Sequence, residues 1–290
     1  MPNAALSVDT GIKAVLLTCD FSKVSDKPLR HALAIAHHYH AKFYLAHVVC
    51  SIGYAIAGPP SLHLATEAAT RDMQKLEQGL MANGCLHGLT HEFIVRQGDI
   101  WKQLESVIAD KQVDLVVVGT HGRGGFKKLI LGSVAEEIIR EAPCPVIGVG
   151  PEVPSRAQLP GNMRHILLAT DFVAGSLAAL KYAVSFAEEN NARLTVLHVV
   201  DHRDPPLAPN EGAFHLLLSA DLNLVSRPDL LVKSGAPAEV ILELAAEKQT
   251  DLIVVGAHGT PVGALSTRTL WPTLHRLLCE AQSPVLTVRG

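Results

Sequence analysis

The sequence predicts an α/β protein made of two consecutive doubly wound domains, each a five-stranded parallel sheet covered by helices on both faces. Three features carry that prediction. Short apolar runs such as residues 115–118, rich in β-branched residues and lacking polar alternation, read as strands buried on both faces. Such runs alternate with segments of helical periodicity, which implies parallel strands joined by right-handed crossovers. The whole pattern then restarts after residue 162.

Residues 12–18 form the first apolar strand, closed by Cys19 and Asp20. A helix follows with Leu29, Leu33, Ile35 and Ala36 inward and Pro28 in its first turn, where a missing N–H is harmless. Residues 43–49 make the second strand. After Gly58, Pro59 and Pro60, a long amphipathic helix is expected over about residues 61–82, with Leu64, Ala68, Met73, Leu76 and Leu80 inward. Residues 91–95 are the third strand, and Gly98 and Asp99 open a helix over about residues 100–109.

The stretch 113–149 supplies the fourth strand, a glycine-rich loop, a helix and the closing strand. Gly119, Gly122, Gly124 and Gly125 punctuate the loop, which ends at Gly132 and Ser133. Ser133, Val134, Ala135 and Glu136 read as a capping box, with Ser133 at the N-cap and Glu136 three residues on. The loop thus brings backbone N–H groups and the positive end of a helix dipole to the carboxyl end of a buried strand. Those are the physical requirements of a phosphate site.

Residues 151–162, with three prolines, read as a linker between domains at 1–150 and 162–290. Asp171 answers Asp20 and His198 answers His47 at an offset of 151 (171 − 20, 198 − 47). Gly235 answers Gly98 and Gly256 answers Gly119 at an offset of 137 (235 − 98, 256 − 119). The second copy therefore lacks 14 residues (151 − 137) between its second and third strands, where the long helix is at best stunted. If the first strand lies beside the fourth, the chain order reverses there. Open α/β sheets bind ligands in the crevice at that reversal, beyond the carboxyl ends of the strands. Asp20 and Gly119 then look into one crevice of nucleotide size, as in Rossmann-like domains.

Composition narrows the partners. A net charge of −3 argues against a general nucleic-acid or anionic-membrane partner. No apolar run reaches the length of a membrane span, and the first residues lack the basic start and apolar core of a signal peptide. The five cysteines are scattered without a C-x-x-C pair, so reduced thiols in the cytoplasm are expected.

These residues resemble the universal stress protein family in its tandem form. The family's fingerprint, G-2x-G-9x-G-[ST], stands here as Gly119, Gly122, Gly132 and Ser133. A strand ending in T-x-D (Thr18, Asp20), a second ending in H-V-V (His47, Val48, Val49) and a closing P-V-x-x-V (Pro145, Val146, Val149) accompany it. The resemblance covers essentially the whole chain, twice. It implies that the first domain binds ATP, or ADP or AMP in its place. Thr18 and Asp20 would serve the adenosine portion, and the backbone of Val48 would lie against the adenine. Gly119, Gly122 and Gly132 would let the main chain approach the phosphates. Ser133 would add its hydroxyl and Val134 the first helical turn, Arg123 would turn its charge to the β- or γ-phosphate, and His121 would meet a phosphate or pack the loop. Mg2+ would bridge the phosphates. The second copy departs from the pattern, with Thr269 where the third glycine is due. Pro261 and the pair Trp271-Pro272 are expected to stiffen or fill the place of the phosphates. Asp171, Val199, Gly256 and Gly259 remain as weaker candidates, and the second domain is expected to be a degenerate lobe.

Plainer readings stand beside these. Asp20 and Asp171 could equally be N-caps of the helices after them. His37, His38 and His40 form no closed ligand set, so no metal site is expected. Cys19 reads as a small buried side chain. Three functions compete: a nucleotide-dependent stress-response regulator, a slow ATPase or nucleotidyl-transferring enzyme, and a nucleotide-free interaction module. Near the loop no residue offers to position water, so no catalytic residue is named and turnover is expected to be slow at most. The closing strands, residues 146–149 and 285–288, predict an internal pseudo-dimer of the two copies and a possible homodimer of chains.

Overall fold

A computed structural model describes residues 11–21, 26–52, 58–121, 131–154, 163–171, 174–200, 227–257 and 267–289. The chain separates into two compact units, one largely of residues 11–147 and the other largely of residues 148–290. In the first, the elements are β1 (Ala14–Thr18), α1 (Asp26–His38), β2 (Lys42–Cys50), α2 (Pro59–Ala82), β3 (His91–Gly98), α3 (Ile100–Asp110), β4 (Leu115–Gly119), α4 (Ser133–Glu141) and β5 (Val146–Val149). Its strand order is β3-β2-β1-β4-β5. Leu17 lies opposite Leu45 of β2 on one side and Val117 of β4 on the other, both pairings parallel. The side chains of Val15, Leu16, Leu17, Leu115, Val116 and Val117 are buried on both faces, which is why these strands show no polar alternation.

The second unit repeats the plan with β6 (His165–Ala169), α5 (Ala174–Asn190), β7 (Arg193–Val200), β8 (Asp229–Ser234), α6 (Pro237–Glu247), β9 (Leu252–Ala257), α7 (Thr267–Glu280) and β10 (Val285–Arg289). Its order is β8-β7-β6-β9-β10, again with parallel pairings. Right-handed crossovers put α1 and α2 on one face of the first sheet and α3 and α4 on the other. In agreement, α3 packs against α4, and α6 against α7.

One carboxylate in each copy sets the register of the central pair. Asp114 Oδ2 accepts from the N–H groups of Lys13 (2.8 Å) and Ala14 (2.9 Å). Asp251 Oδ2 does the same for Arg164 (2.7 Å) and His165 (3.0 Å). Charge-assisted bonds of this kind are stronger than neutral ones and satisfy two donors at the start of the middle strand.

The long helix departs from expectation at its start. It opens at Pro59, two residues early, with proline in the first turn after Gly58 at φ 80°. Its buried side chains are Ala69, Met73 and Leu80, whereas Leu64 is 62% exposed. Traced back from those positions, the inner stripe reaches the half-buried Leu62 and Thr66 rather than Leu64. The apolar character of Leu64 misplaced the first two turns. The stunted helix expected in the second copy falls on residues 201–226, and most of the linker on 155–162, both outside the described residues.

Two buried histidines escaped the pattern reading. His31 lies inside α1, and burial, helped by the charge of Arg30, pushes its pKa down to about 4. His165 is held between the hydroxyls of Thr250 (2.9 Å) and Thr195 (2.8 Å), and burial lowers its pKa. Both sites favour the neutral ring, whereas an unfolded histidine protonates near 6.5. Their stabilising contribution is therefore complete above that value and is lost as pH falls towards the folded pKa. From pH 7.5 to pH 5, His31 alone is expected to lower stability by about 2 kcal/mol. Urea unfolding at the two pH values checks this: His31→Gln should flatten the pH dependence, and an unchanged slope in that variant would contradict the account.

Candidate functional site

The site forms where β1 stops and its neighbours continue. Cys19 N–H donates to Ala46 O at 2.9 Å, the last rung between the first two strands, and β2 then runs on to Cys50. The rungs alternate along β2. Lys42 N–H donates to Lys13 O (2.7 Å) and Phe43 N–H to Thr90 O (2.9 Å), so even-numbered residues face β1 and odd-numbered ones face β3. The backbone N–H and C=O of Val48 therefore point to the side where β1 has ended. Such a donor–acceptor edge has the chemistry to meet the edge of a purine base.

Beyond β1 the chain turns sharply through Thr18, Cys19, Asp20 and Phe21, all half-buried. Phe21 has φ 57°, and its N–H donates to Cys19 Sγ at 3.2 Å. His47 Nδ1 lies 2.7 Å from Cys19 O, and its ring meets that of Phe21 with centroids 4.5 Å apart. Residues 22–25, between this turn and α1, lie outside the described residues.

Across β1, the other neighbour ends at Gly119. A Cβ built there would meet Pro28 Cγ at 3.1 Å, tighter than an ordinary contact. The glycine thus lets the first turn of α1 pack on the end of β4, a role independent of any ligand. Thr120 is fully buried, and its Oγ1 hydrogen-bonds His121 Nδ1 at 2.9 Å. Thr120 O accepts from Gly132 N–H at 2.8 Å, which joins the two feet of the glycine-rich loop. Gly122 and Arg123 lie outside the described residues.

The start of α4 corrects the expected capping box. Gly132, at φ −64° and ψ 137°, is the N-cap, and Ser133 is the first helical residue without a side-chain cap bond. Gly132 O accepts from Glu136 N–H at 2.9 Å, while the Glu136 carboxylate pairs with Arg140 at 3.1 Å instead of reaching back. The N–H groups of Ser133, Val134 and Ala135 have no acceptor within the helix, as in any first turn. Among the described residues no capping side chain answers them either, so they suit an anion, with the exposed Ser133 at the same rim. The dihedrals of Gly132 are open to any residue; what the position offers is the absence of a side chain.

The second copy keeps the turn and changes the loop. His198 Nδ1 lies 2.9 Å from Thr170 O, and Thr170 N–H donates to Leu197 O at 3.0 Å. Arg193 N–H donates to Arg164 O, so odd-numbered residues of β7 face β6 and the backbone of Val199 looks past its end. Asp171 is exposed, and residues 172 and 173, between it and α5, lie outside the described residues. Gly256 is buried in β9, and Gly259 lies outside the described residues. Helix α7 opens 11 positions after Gly256 (267 − 256), against 14 from Gly119 to Ser133 (133 − 119). Trp271 and Pro272 lie within α7. A proline there removes a helical N–H and crowds the turn before it.

Burial raises the thiols of Cys144 to about 12 and Cys279 to about 11, which leaves neither a ready nucleophile. His37 Nε2 meets Cys85 O at 2.9 Å, and no group of three or more metal-ligating side chains occurs among the described residues. Among those residues no helix is long and apolar enough to cross a membrane. Sequence reasoning missed Pro28, Thr120 and the structural part played by His47. The signal for the last was its recurrence as His198, read only as a mark of the repeat.

A family model described as the universal stress protein family matches residues 11–149 and again 162–289. The chain belongs to the universal stress protein family. A universal stress protein of Mycolicibacterium smegmatis is 29% identical over 296 residues, which cover 95% of this chain and 96% of that one. One from Thermus aquaticus is 34% identical over 138 residues, 43% of this chain and 98% of its own, so nearly all of it corresponds to part of this universal stress protein. The crystal structure of a universal stress protein from Archaeoglobus fulgidus has the same fold, with a TM-score of 0.73 over 97% of both chains at 21% identity.

The contact between Gly119 and Pro28 is open to test without any ligand. Gly119→Ala is expected to destabilise the first domain by about 1 kcal/mol through overpacking. Combining it with Pro28→Ala should recover part of that loss in a denaturant-based double-mutant cycle. Strictly additive losses would show that the two residues do not press on each other.

Proposed function

We propose that the first domain of this universal stress protein binds ATP, or ADP or AMP in its place, and that binding changes the shape or partners of a cytoplasmic stress-response regulator. The observation that carries this reading is the placement of two unlike backbone surfaces at one strand-order reversal. The donor–acceptor edge of Val48 suits a base, and the uncapped first turn of α4 suits phosphates. The strands bearing them flank β1 and are separated by two strand spacings, roughly 10 Å, which leaves the turn with Thr18 and Asp20 between them for the ribose. Gly119, Gly132, Ser133 and Val134 would line the phosphate end, joined by Gly122 and Arg123. Mg2+ would neutralise the phosphate oxygens. The residues present fit it only as a partner of the phosphates, because no described cluster of acidic side chains holds a cation by itself.

The second domain, with an earlier-opening α7 and no Gly-Ser pair, is proposed to be degenerate at its phosphate end; Asp171, Val199, Gly256 and Gly259 keep at most the nucleoside end. Hydrolysis is proposed to be slow at most, since Glu136 is engaged by Arg140 and Glu137 lies exposed beyond the cap. Pairing of the two domains and a homodimer of whole chains belong to the same proposal.

Calorimetry on the full chain with ATP, ADP and AMP tests it. Gly132→Val is expected to weaken ATP by about 10-fold or more by obstructing the approach to α4. Asp171→Ala should leave affinity unchanged. Absence of binding by the unaltered protein would remove the proposal, and ATPase turnover of ordinary enzyme magnitude would overturn the regulatory reading.

A further inference from the structure

Phe21 is a non-glycine residue held at φ 57°, in the left-handed region, which costs such a residue about 1–2 kcal/mol. A turn under that strain keeps its shape only where its surroundings fix it. Among the described residues, contacts of four kinds do so. Cys19 N–H is tied to Ala46 O, Cys19 O is tied to His47, the Phe21 ring lies on the His47 ring, and Phe21 N–H reaches Cys19 Sγ. His47 supplies two of the four. Because a carbonyl only accepts, His47 Nδ1 must carry the proton and donate it.

We infer that His47 is a positioning residue for nucleotide recognition, acting through the turn that carries Asp20. This rests on the proposal that the first domain binds nucleotide. The internal duplication supports it independently. His198 makes the same bond to Thr170 O, although the accepting residue has changed from cysteine to threonine. Phe172 stands in sequence where Phe21 does. The strap persists in the copy whose phosphate loop has lost its Gly-Ser pair, so its effect belongs to the nucleoside end. Two expectations follow for variants. Asparagine at position 47 places an amide nitrogen near the site of Nδ1, whereas glutamine places it near Nε2 and leaves Cys19 O without its donor.

The test is calorimetry of the full-length protein with ATP and with AMP, combined with amide exchange in the absence of nucleotide. His47→Leu and His47→Gln are expected to weaken ATP and AMP alike by about 10-fold, with the urea midpoint little changed. His47→Asn should stay within about threefold of the unaltered protein. His198→Leu should leave both affinities as they were. Without nucleotide, exchange at the amides of Cys19, Asp20 and Phe21 should quicken in the leucine and glutamine variants but not at Val15–Leu17. Unaltered affinity in the glutamine variant, or a loss confined to ATP, would overturn the inference. If the leucine variant does not fold, the contrast between glutamine and asparagine decides. Failure of the unaltered protein to bind any nucleotide would sink the proposed function, whereas unchanged exchange at the turn would sink the positioning role alone.

Discussion

The parallel pairing of β1 with β4 is the constraint on which the rest depends. It places the reversal of strand order at the middle of the sheet, and it brings the ends of two strands distant in sequence to one rim. Asp114 fixes its register by taking the two amides that precede and open β1. At the other end of the same pair, Gly119 lets Pro28 close in on β4, and Thr120 gathers the far foot of the loop through Gly132. The site is thus a by-product of how the central pair begins and ends.

Much of this was legible in the sequence because the deciding side chains are apolar and periodic. Runs such as Leu115–Gly119 carry their burial openly, and the repeat offsets located both copies before any geometry was known. The errors have physical causes. Leu64 looked like part of an apolar stripe, but a helix has one phase, and Ala69, Met73 and Leu80 set it. Ser133 looked like an N-cap, yet capping depends on which carbonyl accepts the first helical bond, and Gly132 takes that place. Backbone features were the least visible. The outward edge of Val48 follows from where β1 stops, which no side chain announces. The strap of His47 on Cys19 O is a contact between residues 28 positions apart, and only its recurrence hints at it.

Duplication makes the molecule its own control. Both copies keep the carboxylate pin, the strap on the turn and the reach of the second strand past the first. These features maintain the sheet and its rim, and they survive whether or not the phosphate end is intact. The copies part at the loop and the helix after it. In one, α4 opens at Gly132-Ser133 with first-turn donors that no capping side chain among the described residues answers. In the other, α7 opens sooner and carries Pro272 inside it. The difference falls on the groups that the proposed function would set against phosphate.

The central claim is that the two halves share one scaffold and one of them meets phosphate. Native mass spectrometry of the full chain with saturating ATP and Mg2+ tests it most directly. The account predicts one nucleotide per chain at saturation, with Gly132→Val needing about 10-fold more ATP to reach the same occupancy. Two nucleotides per chain, or an occupancy curve left unchanged by that substitution, would contradict it.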